Sequence, residues 1–178
     1  MDGRDHRKPL SPGSLEKFCK LARKLGAKEA KVISTRNIFT APWVRRKCQF
    51  GCSEYGRSLT CPPYSPLPEE TRKILDSYSI AILIHCSGKS LDLREIVVQL
   101  ERDIFLSGRY KAFGLGAGPC NLCNKCNLKE CCYPDRARPS MEATGIDVFK
   151  TARKADFPIE VLTSIQCQPN YYGLVLVK

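Results

Sequence analysis

The segment from Cys120 to Pro134 constrains this chain most. Cys120, Cys123 and Cys126 form a C-x2-C-x2-C run, Cys131 and Cys132 follow, and Pro134 closes the stretch. Thiols at intervals of three curl around one compact inorganic centre, and a further cysteine completes its shell, as in cysteine-ligated 4Fe–4S clusters. Zinc is the competing metal, but structural zinc usually takes two C-x2-C knuckles a dozen or more residues apart. The run approximates the bacterial ferredoxin pattern C-x2-C-x2-C-x3-C-P. It departs in leaving four residues between Cys126 and Cys131 and five between Cys126 and Cys132, so the spacing alone leaves either as the fourth ligand.

Gly114, Gly116 and Gly118 precede this segment. Glycines let backbone amides approach cluster sulfurs and donate hydrogen bonds to them. A dinucleotide loop is the rival for the glycines, but Pro119 and Cys120 stand where a helix should open.

A second cluster lies upstream. Cys48, Cys52 and Cys61 are separated by three and eight residues, with Pro62-Pro63 following. The spacing does not match the C-x3-C-x2-C of radical enzymes that use S-adenosylmethionine. Three thiolates leave one metal position for substrate, water or a distant ligand such as His85, Cys86, Cys132 or Cys167, and an open position distinguishes a catalytic metal from a closed structural one. The bland alternative is a zinc or purely structural clasp on a loop.

The 178 residues and 43% hydrophobic content suit one soluble domain, 1–178, with cysteine-rich segments at 48–63 and 118–134. Such a core does not need disulfides as staples. The first residues carry charge and no apolar h-region, so no secretory signal is expected, and the longest apolar stretch is too short for a bilayer. A reducing cytoplasm follows as the expected compartment, where thiols bind metal. The formal charge of +11 suits acidic partners. An acidic redox protein is the expected partner, nucleic acid the alternative, and no membrane is expected. Part of the excess offsets thiolate clusters, each of about −2 in the oxidised 4Fe–4S state.

Periodicity predicts a helix over Ser11–Leu25 with Ser14 as cap, and short strands at Ala30–Ser34 and Ile38–Thr40. Trp43–Lys47 leads into a loop from Cys48 to Pro68, and a helix covers Pro68–Ser77. Ser79–His85 reads as a buried strand, Ser90–Leu106 as an amphipathic helix with Ser90 as cap, and Lys111–Leu115 as a strand. Short helices at Ser140–Gly145 and Asp147–Lys154 precede a closing pair of strands, Ile159–Ile165 and Tyr171–Val177, joined through Pro169-Asn170. The fold class is α+β or α/β, a sandwich of helices on a mixed sheet with metal-binding loops. Cys19 and the pair His85–Cys86 read as core. Arg45, Arg46 and Lys47 beside Trp43 can contact phosphate and base, or form a solvated face. Two histidines are too few to assemble a nucleophile–base set.

Several of these residues carry a resemblance. They are Cys48, Cys52, Tyr55-Gly56 and Cys61-Pro62-Pro63; Gly118-Pro119-Cys120 with Cys123 and Cys126; Cys131 with Pro134; and the run Ala137–Ala143 followed by Gly145–Val148. The chain resembles a prokaryotic family of predicted metal-binding proteins, domain of unknown function 2284. The resemblance implies metal binding, and its pattern implies Cys131 as the fourth ligand, with Cys132 an extra. It implies no settled reaction. The expected cofactor is a 4Fe–4S cluster at Cys120, Cys123, Cys126 and Cys131, with a second at Cys48, Cys52 and Cys61, and zinc as the alternative. The expected function is an electron-transfer or redox-accessory protein. The alternatives are an enzyme using an open iron as Lewis acid and a zinc-stabilised nucleic-acid module.

Overall fold

The computed structural model describes residues 12–88 and 93–178, excluding the side chains of residues 12–14. The cap expected at Ser90 and the side chain expected to cap at Ser14 lie outside this set.

Helix α1 (Pro12–Lys24) ends on Arg23 and Lys24, a favourable placement for the helix dipole. Gly26, at φ +111°, then turns the chain into β1 (Glu29–Ser34). Helix α2 (Pro42–Gly51) and α3 (Pro68–Asp76) follow, each with proline in its first turn. Next come β2 (Ile80–Ser87), α4 (Leu93–Leu106) and β3 (Phe113–Leu115). Helix α5 (Val148–Lys154) is capped by the Asp147 carboxylate, which accepts from Lys150 N at 2.9 Å, and β4 (Asn170–Leu176) ends the order.

The class is α+β. The four strands form one antiparallel sheet in the order β1-β2-β4-β3. Strand alternation divides the core between its faces. Ile82, Ile84 and Cys86 of β2 meet Leu15, Phe18 and Cys19 of α1 and Ile96, Val97 and Leu100 of α4. Ala81, Leu83, Leu174 and Leu176 meet Leu75 of α3, Ala152 of α5, Met141 and Ile146. The central strand β2 is buried on both faces, which explains its nearly unbroken apolar sequence.

His85 belongs to the second face. It stacks on Tyr172 at 5.0 Å, and its Nε2 lies 2.8 Å from Asn170 Oδ1. Cys86 packs with the first face. Both side chains are core, as expected.

Three expectations are corrected. Ile38–Thr40 is not a strand: Thr40 makes only an isolated bridge to Ile146, because the chain turns through a 3-10 segment, Thr35–Asn37, just before it. Residues 42–51 form a helix, so Cys48 sits on α2 and Cys52 at its C-terminal cap, not in a loop. Pro42 supplies a preset first turn, and Val44 provides the buried contact. Ile159–Ile165 forms no strand. Only Ile159 is buried, while Val161, Leu162 and Ile165 are 67%, 51% and 94% exposed, so the apolar run has no face to pair against. The sheet closes through β4 alone, set between β2 and β3.

Candidate metal centre

Both cysteine segments are fastened to one short stretch, Pro139–Ile146, centred on a 3-10 turn at Glu142–Thr144. Ala41 N donates to Gly145 O at 2.9 Å, bringing in the start of α2. Arg45, on the same helix, donates to Ala143 O at 2.8 Å and to Ser65 Oγ at 2.7 Å. Ser65 Oγ itself donates to Ala143 O at 2.5 Å, and Ser65 N donates to Cys61 O. Cys61 is thereby held against the helix that carries Cys48. Thr71 of α3 donates to Thr144 O at 2.7 Å. Gly116 exchanges backbone bonds with the stretch, donating to Pro139 O and accepting from Met141 N.

Gly145 sits at φ +80°, and a Cβ there would meet Pro68 Cγ at 2.5 Å. Only glycine serves at this junction.

The loop from residue 118 to 138 has no regular secondary structure. It is anchored instead by charge. Arg138 and Glu101 form a two-point ion pair, Nε–Oε2 2.7 Å and Nη2–Oε1 2.8 Å, with both side chains 13% exposed. Arg136 pairs with Glu95, and Arg94 donates to Asn121 Oδ1. Helix α4 thus grips the loop near both ends.

Between these anchors, Cys120, Cys123, Cys126, Cys131 and Cys132 all line one cavity of about 480 Å3. Glu54 and Gly56 to Thr60, from the loop between Cys52 and Cys61, line the same cavity. The two cysteine segments, far apart in sequence, therefore border one cavity, although Cys48, Cys52 and Cys61 are not among the residues lining it. Arg57 and Lys125 add positive charge to this cavity. As they stand, no three His, Cys, Asp or Glu side chains among the described residues close around a single ion-sized point.

The thiols' ionisation follows their surroundings. Burial pushes Cys48 up, with the negative charges of Cys52 and Glu142 adding to it and Arg45 opposing. Burial also pushes Cys61 up, against hydrogen bonds from Thr60 and Ser58. Cys123 is raised by desolvation and then by Cys132, the thiol it hydrogen-bonds. Each favours the neutral thiol in the metal-free protein, so loading a metal expels protons.

Glu142 was not legible as a site residue. Its carboxyl is buried, which pushes its pKa up, and its Oε2 has no hydrogen-bond partner among the described residues. It lies close enough to raise Cys48. Its orphaned oxygen is near enough to Cys48, itself coupled to Cys52 and Cys61, to make Glu142 a candidate ligand, although these groups do not close around one ion-sized point. Nothing in the spacing of Glu142 within its motif marks it as such.

Two of the three glycine amides expected to face a cluster are already used. Gly114 N donates to Glu101 Oε2 at 2.8 Å, and Gly116 N to Pro139 O at 2.8 Å. These glycines serve the scaffold: a Cβ on Gly114 would collide with Val97.

The sequence profile of the family described as "Predicted metal-binding protein (DUF2284)" matches residues 31–177. The chain belongs to this family. Its match begins within β1, at Lys31, and runs through both cysteine segments to the end of β4, taking in the other three strands whole. No curated protein and no solved structure matches the chain. Within this DUF2284 chain, the motif run Ala137–Ala143 with Gly145–Val148 largely coincides with the stretch to which both cysteine segments are fastened. Much of the resemblance therefore lies in the scaffold of the site rather than in its thiols. No helix among the described residues is long and apolar enough to cross a membrane.

Proposed function

We propose that this metal-binding protein holds a 4Fe–4S cluster on Cys120, Cys123, Cys126 and Cys131 and passes single electrons to or from an acidic partner protein. The observation that carries this is the single cavity lined by those four thiols. A C-x2-C-x2-C run with a further cysteine close behind suits a polynuclear body that takes one cysteine per corner, whereas structural zinc usually takes two separated C-x2-C pairs. Cys131 is favoured over Cys132 because it is half-buried while Cys132 is exposed, and because the family pattern puts a ligand there. The cluster supplies a reversible one-electron change. The chain's part is to hold it with the loop clamped on α4, to wall it with residues 54–60, and to present a basic surface to the partner.

The test is anaerobic reconstitution with iron and sulfide. Thiolate-to-iron charge-transfer absorption that dithionite bleaches, with an EPR signal on reduction, is the expected result. Stoichiometric zinc without sulfide in the native protein would eliminate the proposal.

Cys48, Cys52 and Cys61 support a second reading, in which a further centre there has an open position and acts as a Lewis acid. The unpartnered Glu142 Oε2 beside Cys48 is the observation that favours it. Glu142 would serve as an oxygen ligand or as a base next to bound substrate. A change in the EPR of this centre on Glu142→Gln, with the Cys120 loop's centre intact, is expected if it holds.

A further inference from the structure

A groove on another part of the surface has a chemistry that the metal centre does not use. It lies between the start of α2, Phe39 and helix α5, an open groove of about 810 Å3. That is within the range of about 300–1,000 Å3 typical of small-molecule sites. Three rings line it, from Phe39, Trp43 and Phe149. Trp43 is 48% exposed although it stands on a packed helix. A large indole left half in water at a cavity wall offers a platform for a flat ring, and base–aromatic stacking contributes about 1–3 kcal/mol per base.

The groove's charge is one-sided. Lys47, Lys150, Arg153 (paired with the exposed Glu160 at 3.5 Å) and Lys154 line it, against a single lining carboxylate, Asp147. That carboxylate is engaged in capping α5 through Lys150 N. Lys150 Nζ lies 4.4 Å from the Phe39 ring centroid, and the Arg153 guanidinium lies 5.5 Å from that of Phe149, so cations and rings alternate along the wall. Of the basic residues flanking Trp43 in sequence, only Lys47 contributes. Arg45 is turned inward to Ala143 and Ser65, and Arg46 bonds Gln49.

We infer that this groove binds a nucleotide-class small molecule, with its aromatic ring on Trp43 and its phosphates among Lys47, Lys150 and Arg153. Cations answer phosphate and the rings answer the base. The groove's size suits one nucleotide, and a single exposed indole offers one stacking place rather than a track for successive bases. The inference does not depend on which metal the protein holds.

Trp43 is the chain's only tryptophan, so its fluorescence reports on the groove directly. The full chain is titrated with ATP without magnesium, in metal-loaded and metal-free form, and the affinity is checked by calorimetry. Saturable quenching is expected in both forms, with tripolyphosphate competing but quenching less. Lys150→Glu, an exposed change that should leave the thermal melt in place, is expected to weaken ATP at least tenfold. Trp43→Ala should weaken ATP, by calorimetry, more than it weakens tripolyphosphate. Absence of saturable ATP binding at millimolar concentration overturns the inference, as does binding unaffected by Lys150→Glu. An oligothymidylate that binds tighter than ATP, with affinity growing with length and falling steeply with salt, also overturns it in favour of a single-stranded nucleic-acid surface.

Discussion

Arg138 and Glu101 are joined at two points, 2.7 and 2.8 Å, and this pair fixes the exit of the cysteine loop to the outer face of α4. Glu101 also accepts from Gly114 N at 2.8 Å, so one carboxylate ties together α4, β3 and the loop. Both side chains are 13% exposed, and neither charge can be left alone cheaply.

Arg138→Ala should therefore cost about 3 kcal/mol in the metal-free protein, the range for removing one partner of a largely buried pair. Urea denaturation measures it. The same change should reduce retained metal, because the loop loses its clamp. A loss below roughly 0.5 kcal/mol, the level of an exposed pair, would contradict this role.

Adjacent thiols at residues 131 and 132 permit a clean comparison. Cys131→Ser should strip the centre of its metal or leave it labile, whereas Cys132→Ser should retain normal loading. Iron per chain after anaerobic desalting is the measurement. The reverse pattern would place the fourth ligand on the thiol that hydrogen-bonds Cys123.

Gly145→Ala should destabilise by about 2–4 kcal/mol, from a left-handed φ and a Cβ driven into Pro68. Thermal melts report it. Metal loading should fall as well, since Gly145 O receives the amide that starts α2. A neutral outcome would show that α3 can move away from the turn without penalty.

Cys19 gives a pH dependence independent of the metal centre. It is fully buried between α1 and the sheet, and burial first, then Glu16, pushes its thiol up to about 11. The folded state holds this proton when the unfolded chain, titrating near 9, has lost it. Stability is thus fully present below about pH 9 and falls as pH rises towards 11. Between pH 8 and 10.5 the loss attributable to Cys19 should be about 2 kcal/mol. Cys19→Ala should flatten that slope in denaturation curves taken across the range. An unchanged slope would assign the alkaline loss to other groups, such as Tyr172, whose pKa is pushed up to about 12 mainly by burial.

Much of the fold was legible because it is local. The apolar stripe of α4 and the helices over Pro68–Ser77 and Asp147–Lys154 are written within a few residues each. The strand expected at Ile159–Ile165 failed because a run of branched residues resembles a strand whether or not a neighbour exists. Helix α2 was missed because its apolar face is nearly reduced to Val44, while Arg45 holds it through long-range hydrogen bonds. The thiols from Cys120 to Cys132 were grouped by their spacing, and they line one cavity. The approach of residues 54–60 to that cavity and the place of Glu142 beside Cys48 were not legible, because both follow from contacts across more than fifty residues.

The most direct measurement is iron, zinc and acid-labile sulfide per chain in protein purified without exposure to oxygen. A brown preparation is expected, with about four iron and four sulfide for each occupied cubane, lost together in the triple variant Cys120→Ser, Cys123→Ser, Cys126→Ser. A colourless, folded protein carrying zinc and no sulfide would contradict the account.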